Sequence, residues 1–373
     1  MKFTLIAGEP SGDKLGAALM AALKTLRPDA RFHGIGGPLM QAEGLVSLFP
    51  MEELSVMGIA EILPKYRALK RRIAETAAAT LAEDPVALIT IDSPDFCLRV
   101  AKIVKAARPD LRTIHYVAPS VWAWRPGRAA KMACHIDHVL ALLPFEPPLM
   151  TAAGMTCDFV GHPVVSEPLA PKTPQDSPLI LALPGSRRGE VSRLCPVIGE
   201  VLAQAKATHP TARVALPTVR GVADLIGDLT RDWPIQPEII ESLEGKRAAF
   251  ANATVAIAAS GTVSLELAAN SCPMVIAYKM NPLTMWLMRR VALVDTVTLV
   301  NLVSQTRAVP EFLGPACRAD DISDALQGLM QDGPARKAQV DAMTLTMQRL
   351  GRGGEAPNLR AARSVLNAIS SAG

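Results

Sequence analysis

The chain has 373 residues, 49% of them hydrophobic and 20% charged; this excludes a disordered chain and exceeds what one hydrophobic core usually serves, so two domains are expected. A net charge of +4 is too small to argue for nucleic acid, and no nucleic-acid partner is expected. No apolar run reaches the length of a bilayer span, although the mean hydropathy of +0.22 leaves room for contact with a membrane surface.

The opening segment Met1 to Gly8 is too short and too soon broken to read as a signal peptide. The six cysteines form no Cys-x-x-Cys pair and the six histidines are scattered, so reduced thiols in a cytosolic protein and no zinc site are expected. The first unit is strand, loop and helix: Phe3 to Ala7, then Gly8-Glu9-Pro10-Ser11-Gly12-Asp13, then the helical spacing of Leu15, Leu19, Leu23 and Leu26. This is Rossmann-like but lacks Gly-x-Gly-x-x-Gly, and Glu9 and Asp13 would repel a pyrophosphate from that helix N-terminus. The loop suits the hydroxyls of a neutral or cationic group, or else Ser11 or Asp13 caps the helix.

A strand over Arg31 to Ile35 ends in the turn Gly36-Gly37-Pro38. Over residues 56–72 an apolar stripe (Val56, Ile59, Leu63, Tyr66, Leu69) runs beside Lys65, Arg67, Lys70, Arg71 and Arg72. That pattern fits the surface of an anionic membrane, and equally an amphipathic helix packed on the sheet. Val86 to Ile89 reads as a buried parallel strand, which puts Asp92 and Asp95 at its C-terminal end, where open α/β sheets bind ligands. A carboxylate there suits a general base, while an Asp-Ser-Pro turn also caps helices. After the strand Thr113 to Val117, the loop Pro119-Ser120-Val121-Trp122-Ala123-Trp124-Arg125 carries two of the four tryptophans, as a binding surface or as a core anchor. Further strands run from His138 to Leu143 and up to Val160.

Four prolines between Pro168 and Pro178 mark an interdomain linker. The pattern then restarts with Leu179 to Leu183 and the loop Pro184-Gly185-Ser186-Arg187-Arg188-Gly189-Glu190, basic and placed to accept an anion before a helix. Strands follow at Arg213 to Leu216, Glu238 to Ile240 and Thr254 to Ala258. The last opens into Ser260-Gly261-Thr262, a second anion cradle, with Glu266 within reach of a ribose diol or complementing the helix dipole. After the strand Met274 to Ala277 comes another apolar-basic run, Met285 to Arg290, and from Asp320 the chain is helical in pattern.

The whole reads as α/β: two Rossmann-like doubly wound domains facing across a cleft, with C-terminal helices able to cross back. The domains are 1–167, a linker 168–178, 179–350 and a helical tail 351–373. This layout resembles the GT-B glycosyltransferases, and the resemblance implies an acceptor-binding domain at 1–167 and a UDP-sugar-binding domain at 179–350. Ala7-Gly8-Glu9-x-Ser11-Gly12-Asp13, Ser55-Val56-Met57-Gly58, Asp92-x-Pro94-Asp95-Phe96 and Pro119 to Arg125 resemble the lipid-A-disaccharide synthase family. So do Leu143-Pro144-Phe145-Glu146, Leu183 to Arg187 with Glu190, Ala259 to Thr262, and Val309 to Leu313, a resemblance running from about residue 4 to about 315.

The resemblance implies an inverting hexosyltransferase that joins UDP-2,3-diacylglucosamine to 2,3-diacylglucosamine 1-phosphate (lipid X), giving the β-1,6 disaccharide 1-phosphate and UDP. A UDP-sugar epimerase and a non-catalytic nucleotide- or lipid-binding protein are the alternatives. Asp92 matches the family's general base, Arg187 its UDP-contacting arginine and Asn301 its active-site asparagine; Val300 replaces the proline that usually precedes that asparagine. Glu9, Ser11, Asp13, Asp95, Trp122, Trp124 and Arg125 fall on the acceptor side. Gly185, Ser186, Arg187, Glu190, Ser260, Gly261, Thr262, Glu266 and Asn301 fall on the UDP side. No Asp-x-Asp motif precedes the cradles, so no metal or other cofactor is expected. The acyl substrates imply a cytoplasmic protein, peripheral on the inner face of the inner membrane through residues 56–72, and leave self-association open.

Overall fold

The computed structural model describes residues 1–54, 59–280, 290 and 292–370. The motif Ser55-Val56-Met57-Gly58, with it the start of the 56–72 segment, and the run Met285 to Arg289 lie outside the described residues.

Parallel strands build the sheets, the central ones buried along nearly their whole length and the edge ones part-exposed. In the first unit these are β1 (Lys2–Ala7), β2 (Arg31–Ile35), β3 (Val46–Ser47), β4 (Ala87–Ile91), β5 (Arg112–Tyr116), β6 (His138–Ala141) and β7 (Thr156–Phe159). The helices are α1 (Pro10–Leu26), α2 (Pro38–Ala42), α3 (Ile59–Glu83), α4 (Pro94–Ala107), α5 (Gly127–Ala133) and α6 (Pro147–Ala152). The seven strands pair in parallel in the order β3-β2-β1-β4-β5-β6-β7. Helix α1 sits close on this sheet because Gly12 and Gly16 carry no side chain: a Cβ on Gly16 would lie 3.0 Å from Ile91 and 2.5 Å from Met40.

The second unit repeats the plan. Its strands are β8 (Leu179–Leu183), β9 (Arg213–Pro217), β10 (Pro237–Ile240), β11 (Val255–Ala258), β12 (Met274–Tyr278) and β13 (Glu311–Leu313). They form a six-stranded parallel sheet in the order β10-β9-β8-β11-β12-β13. The helices are α7 (Arg188–Thr208), α8 (Arg220–Thr230), α9 (Leu243–Asn252), α10 (Val263–Ala269), α11 (Leu299–Ser304), α12 (Ala319–Met330) and α13 (Pro334–Arg349). Each unit has its own apolar core. Residues 167–178 carry neither helix nor strand. Of the cysteines, Cys134 is exposed and Cys157 half-buried, whereas the other four are buried as free thiols.

The chain divides into Met1–Pro163 together with the residues from Gly353 onward, and Val164–Arg352. The last helix, α14 (Pro357–Ser370), therefore belongs to the first unit. Its Ala361, Ala362 and Val365 are fully buried in the core that holds Phe3, Leu19 and Leu23. Polar bonds fix it at the sheet: Ser364 Oγ donates to Asp158 at 2.6 Å and accepts from His138 Nε2 at 2.7 Å, and Arg112 Nε donates to the Ala368 carbonyl at 2.6 Å. Ending the chain after Arg352 removes those three apolar side chains from the first core, a loss of roughly 3–6 kcal/mol from burial alone. Hydrogen exchange is expected to speed up in β1 and β5 to β7 and to stay unchanged in β8 to β12; equal protection of the first sheet in both chains would contradict this docking.

Candidate active site

Each sheet reverses its direction of growth once, between β1 and β4 in the first unit and between β8 and β11 in the second. Connections leave such a strand pair toward opposite faces and open a crevice beyond the strand ends, the usual ligand position in open α/β sheets. In the first unit the register Ala7↔Ile91 sets Gly8 beside Asp92. A Cβ on Gly8 would come within 2.8 Å of the Ser93 hydroxyl, so glycine is what admits the turn after β4.

That turn is held in an unusual backbone. Asp92 and Ser93 have φ of +51° and +43°, and across the same crevice Val117 has φ +81° and Arg125 +57°. Left-handed conformations cost a non-glycine residue roughly 1–3 kcal/mol, most of all a β-branched one, and such strain gathers at functional sites. Sheet hydrogen bonds hold it: Asp92 N–H donates to the Tyr116 carbonyl and Val117 N–H to the Leu140 carbonyl, each at 3.0 Å. Asp92, Val117 and Arg125, with His115, Trp124 and Arg128, line a cavity of about 240 Å³.

The Trp loop divides its labour. Trp124 lines the cavity with the Arg125 guanidinium 4.1 Å above its ring. Trp122 is an anchor and not a cavity wall: its edge packs on Phe145 at 5.3 Å, and its indole N–H donates to Glu146 Oε1 at 3.2 Å. Glu146 is 3% exposed and also accepts the Leu143 N–H at 2.9 Å. Burial pushes its carboxyl up from 4.5 to about 7, against the pull of these hydrogen bonds. Asp95 is exposed and pairs with Arg128 at 3.3 Å, at the edge of the same cavity.

The acidic N-terminal loop differs from its reading as an acceptor site. Glu9 stands at the N-cap of α1 and Ser11 is exposed in its first turn; neither lines the Asp92 cavity. Asp13 is 3% exposed, and its carboxylate accepts the N–H groups of Gly37 (2.9 Å), Leu39 (3.0 Å) and Met40 (3.0 Å). It caps α2, the neighbouring helix, and has no free face for a substrate. The capping reading holds for Asp13, on another helix than its own.

In the second unit Leu183 pairs with Ala258 at the reversal point, and the loops that follow enclose a pocket of about 460 Å³. Gly185, Ser186, Arg187 and Glu190 line one side; Ser260, Gly261, Thr262 and Glu266 line another. Gly185 has φ +107°, and a Cβ there would meet Glu190 Oε2 at 2.5 Å. Arg187, mostly exposed, reaches Glu190 at 2.9 Å. Glu266 pairs with Lys246 of α9 at 2.6 Å, and that ammonium lies 5.3 Å from the Phe250 ring. Among the described residues the buried Thr218 hydroxyl, at the wall of this pocket, has no hydrogen-bond partner. Leaving such a group unpaired costs about 1–3 kcal/mol, which a polar ligand would recover.

Comparison with known proteins agrees with two Rossmann-like halves. Over the fold, the chain is similar to UDP-GlcNAc 2-epimerase from Neisseria meningitidis bound to UDP-GlcNAc (TM-score 0.65, 12% identity, 100% of each chain covered). It is also similar to MurG from Acinetobacter baumannii (TM-score 0.57, 13% identity, 99% of each chain covered). At these identities the likeness speaks for the GT-B-type fold alone. The sequence goes further: a family model described as lipid-A-disaccharide synthetase matches residues 3–358. The lipid-A-disaccharide synthase of Ruegeria pomeroyi is 58% identical, covering 99% of this chain and 96% of the relative; that of Rhodospirillum centenum is 44% identical over 98% and 94%. The chain belongs to the lipid-A-disaccharide synthase family.

Within that family reading, one expected UDP contact falls elsewhere. Asn301 is 1% exposed and does not line the 460 Å³ pocket. Its amide donates to the Val309 carbonyl at 2.8 Å and to Thr296 Oγ1 at 3.3 Å, and its carbonyl oxygen accepts the Val309 N–H at 3.0 Å. Glu311 accepts the Val297 and Thr298 N–H groups just before α11, and the Ser260 hydroxyl donates to the Val297 carbonyl at 3.3 Å. Asn301 thus ties together the stretch that meets the Ser260 cradle. Lys246, Phe250, Thr218 and His115 were missed in the sequence. Thr218 follows β9 directly and was within reach of the strand-end rule, but Lys246 meets Glu266 only through the packing of α9 and α10.

The raised Glu146 carboxyl gives a stability prediction for this family member. Its proton is bound more tightly in the folded chain, so the contribution is full below pH 4.5 and is lost as pH rises through about 7. Urea unfolding between pH 5 and 8.5 is expected to show up to about 3 kcal/mol of such loss, absent in Glu146→Gln. Trp122 fluorescence should titrate with it; an unchanged pH slope in the variant would contradict the assignment.

Proposed function

We propose that the chain transfers a 2,3-diacylglucosamine unit from its UDP donor to the 6-hydroxyl of 2,3-diacylglucosamine 1-phosphate, with inversion at the anomeric carbon and release of UDP. Membership of the synthase family carries the reaction class. The observation that supports this division of parts is the difference between the two reversal points: Asp92 beside two arginines in a small cavity of the first unit, and in the second a larger pocket of glycine and serine loops with Arg187, Lys246 and a hydroxyl that has no partner among the described residues.

Asp92 accepts the proton as the 6-hydroxyl oxygen attacks the anomeric carbon, and the bond from that carbon to the UDP oxygen breaks on the opposite face. The departing diphosphate takes the electron pair. Arg187 offsets its growing charge together with N–H groups of the Gly185 and Ser260 loops, and Glu266 holds the ribose diol once Lys246 yields. Arg125 and Arg128 supply positive charge for the acceptor 1-phosphate. These groups supply the stabilisation without a metal ion. Positioning the two substrates contributes a large part of the rate.

A second part of the proposal concerns the membrane. Among the described residues no helix is long and apolar enough to cross a bilayer. On α3, Arg67, Lys70 and Arg71 are exposed, whereas Arg72 is taken up by Glu53 and Glu75, each at 2.8 Å, and by the Phe49 ring. Three exposed cations among the described residues of this helix suit peripheral contact with anionic lipid, worth about 1 kcal/mol each.

Two measurements test these readings. With UDP-diacylglucosamine, lipid X and excess chelator, the protein should form the disaccharide phosphate; Asp92→Asn should lose about 10²–10⁴-fold in turnover while calorimetry still shows UDP binding. Consumption of the UDP-sugar without lipid X, or near-normal turnover of the variant, would overturn the assignment. Sedimentation with phosphatidylglycerol vesicles should fall when Arg67, Lys70 and Arg71 are changed to Glu; equal sedimentation would move the membrane contact off α3.

A further inference from the structure

The Asp92 cavity holds a second acceptor group that the reaction as described leaves unused. His115, on β5, lies beside Thr90 of β4 in the sheet register. It is 1% exposed and lines the cavity with Asp92. Its Nδ1 is 2.7 Å from Thr90 Oγ1, and that hydroxyl donates its one proton to the Ile114 carbonyl at 3.2 Å. In that arrangement Thr90 accepts from His115 and Nδ1 carries the ring proton, the tautomer on which the inference rests. The other nitrogen, Nε2, is left with a bare lone pair. Burial, with the Arg128 charge adding to it, pushes the imidazole down to about 4, so the ring is neutral at pH 7 and Nε2 only accepts.

The polar side chains lining this cavity then fall into a simple set. Arg125, Arg128 and the Trp124 indole only donate, the Ser120 hydroxyl does both, and Asp92 and His115 Nε2 only accept. The acceptor sugar offers a matching set. With carbons 2 and 3 acylated, carbon 1 phosphorylated and carbon 5 closing the ring, its free hydroxyls are at carbons 4 and 6. Two hydroxyl donors meet two groups that only accept, and one of these is the base for the 6-hydroxyl.

We infer that His115 Nε2 accepts a hydrogen bond from the 4-hydroxyl of the acceptor glucosamine and thereby turns the 6-hydroxyl toward Asp92. The inference rests on the reading of Asp92 as the base that faces the 6-hydroxyl. His115 is on this account a positioning residue that reads a hydroxyl, and Thr90 sets the tautomer that lets it do so. An acceptor whose 4-position is blocked or inverted would leave a buried lone pair unmatched, and sites built to bond a hydroxyl reject such analogues strongly.

The test is a cycle of enzyme and substrate changes, using lipid X and its 4-deoxy analogue with the full chain. For the unaltered protein the 4-deoxy acceptor should lower kcat/KM by about 10–100-fold. His115→Phe should lose a similar factor with lipid X, almost nothing further with the 4-deoxy analogue, and leave the KM of the UDP donor unchanged. His115→Gln, whose amide oxygen reaches about as far as Nε2, should recover part of the loss. If His115→Phe fails to fold, His115→Gln and Thr90→Val carry the same cycle, each with a smaller 4-deoxy effect than the unaltered protein. A 4-deoxy effect of equal size in all variants, or a shift in donor KM, would overturn the inference. Asp92→Asn separates the two readings: if that variant turns over normally while the cycle stays non-additive, the hydroxyl contact stands and the base assignment falls.

Discussion

The parallel ladder that sets Ala7 beside Ile91, and Leu183 beside Ala258, is the constraint on which both candidate sites depend. Backbone bonds of these central strands are buried and paired, so the chain must leave each strand at a fixed height and toward a fixed face. Where neighbouring connections diverge, the loops cannot close over the strand ends, and a concave space remains. What each space binds is then decided by a few residues: Gly8 and the left-handed Asp92-Ser93 pair in the first unit, Gly185 and the Ser260 cradle in the second.

Much of the polar chemistry that surrounds these spaces is spent on holding them. Asp13 gives its whole carboxylate to α2, Asn301 closes on Val309, and Glu146 fixes Trp122. Each is buried and satisfied, and each would leave several buried donors or acceptors unpaired if removed. They keep strained loops in place, and so support the groups that face a ligand without being among them. The groups that face the two spaces differ: Asp92 and His115 with two arginines in the first unit, and the ion pairs Arg187–Glu190 and Lys246–Glu266 beside small-residue loops in the second. The fold alone does not choose a chemistry; these side chains do.

The strand ends were legible where a buried strand reads as an unbroken aliphatic run, as at Leu179 to Leu183, or stops at a glycine-proline turn, as at Arg31 to Ile35; both match the observed bounds. The two short edge strands, Val46–Ser47 and Glu311–Leu313, carried too few residues for a period to register. The position of Asp92 and the composition of the Arg187 and Ser260 loops followed from local sequence, as did their assignment to opposite halves. What was not legible depends on long-range partners. Asp13 looked like a ligand-facing carboxylate because its three donors come from a turn 24 to 27 residues on. Asn301 carried a family expectation that the Thr296–Val309 packing redirects. His115 was invisible because the Thr90 it bonds and the cavity it lines come together only through the pairing of β4 and β5.

The central claim is that the nucleotide and the lipid acceptor occupy the two reversal points separately. Hydrogen–deuterium exchange with UDP alone and with lipid X alone tests it most directly. The account predicts that UDP slows exchange in 185–191 and 259–266 and leaves 92–97 and 117–125 unchanged, with the opposite footprint for lipid X. Protection of the 8–13 or 92–97 loops by UDP alone would contradict it.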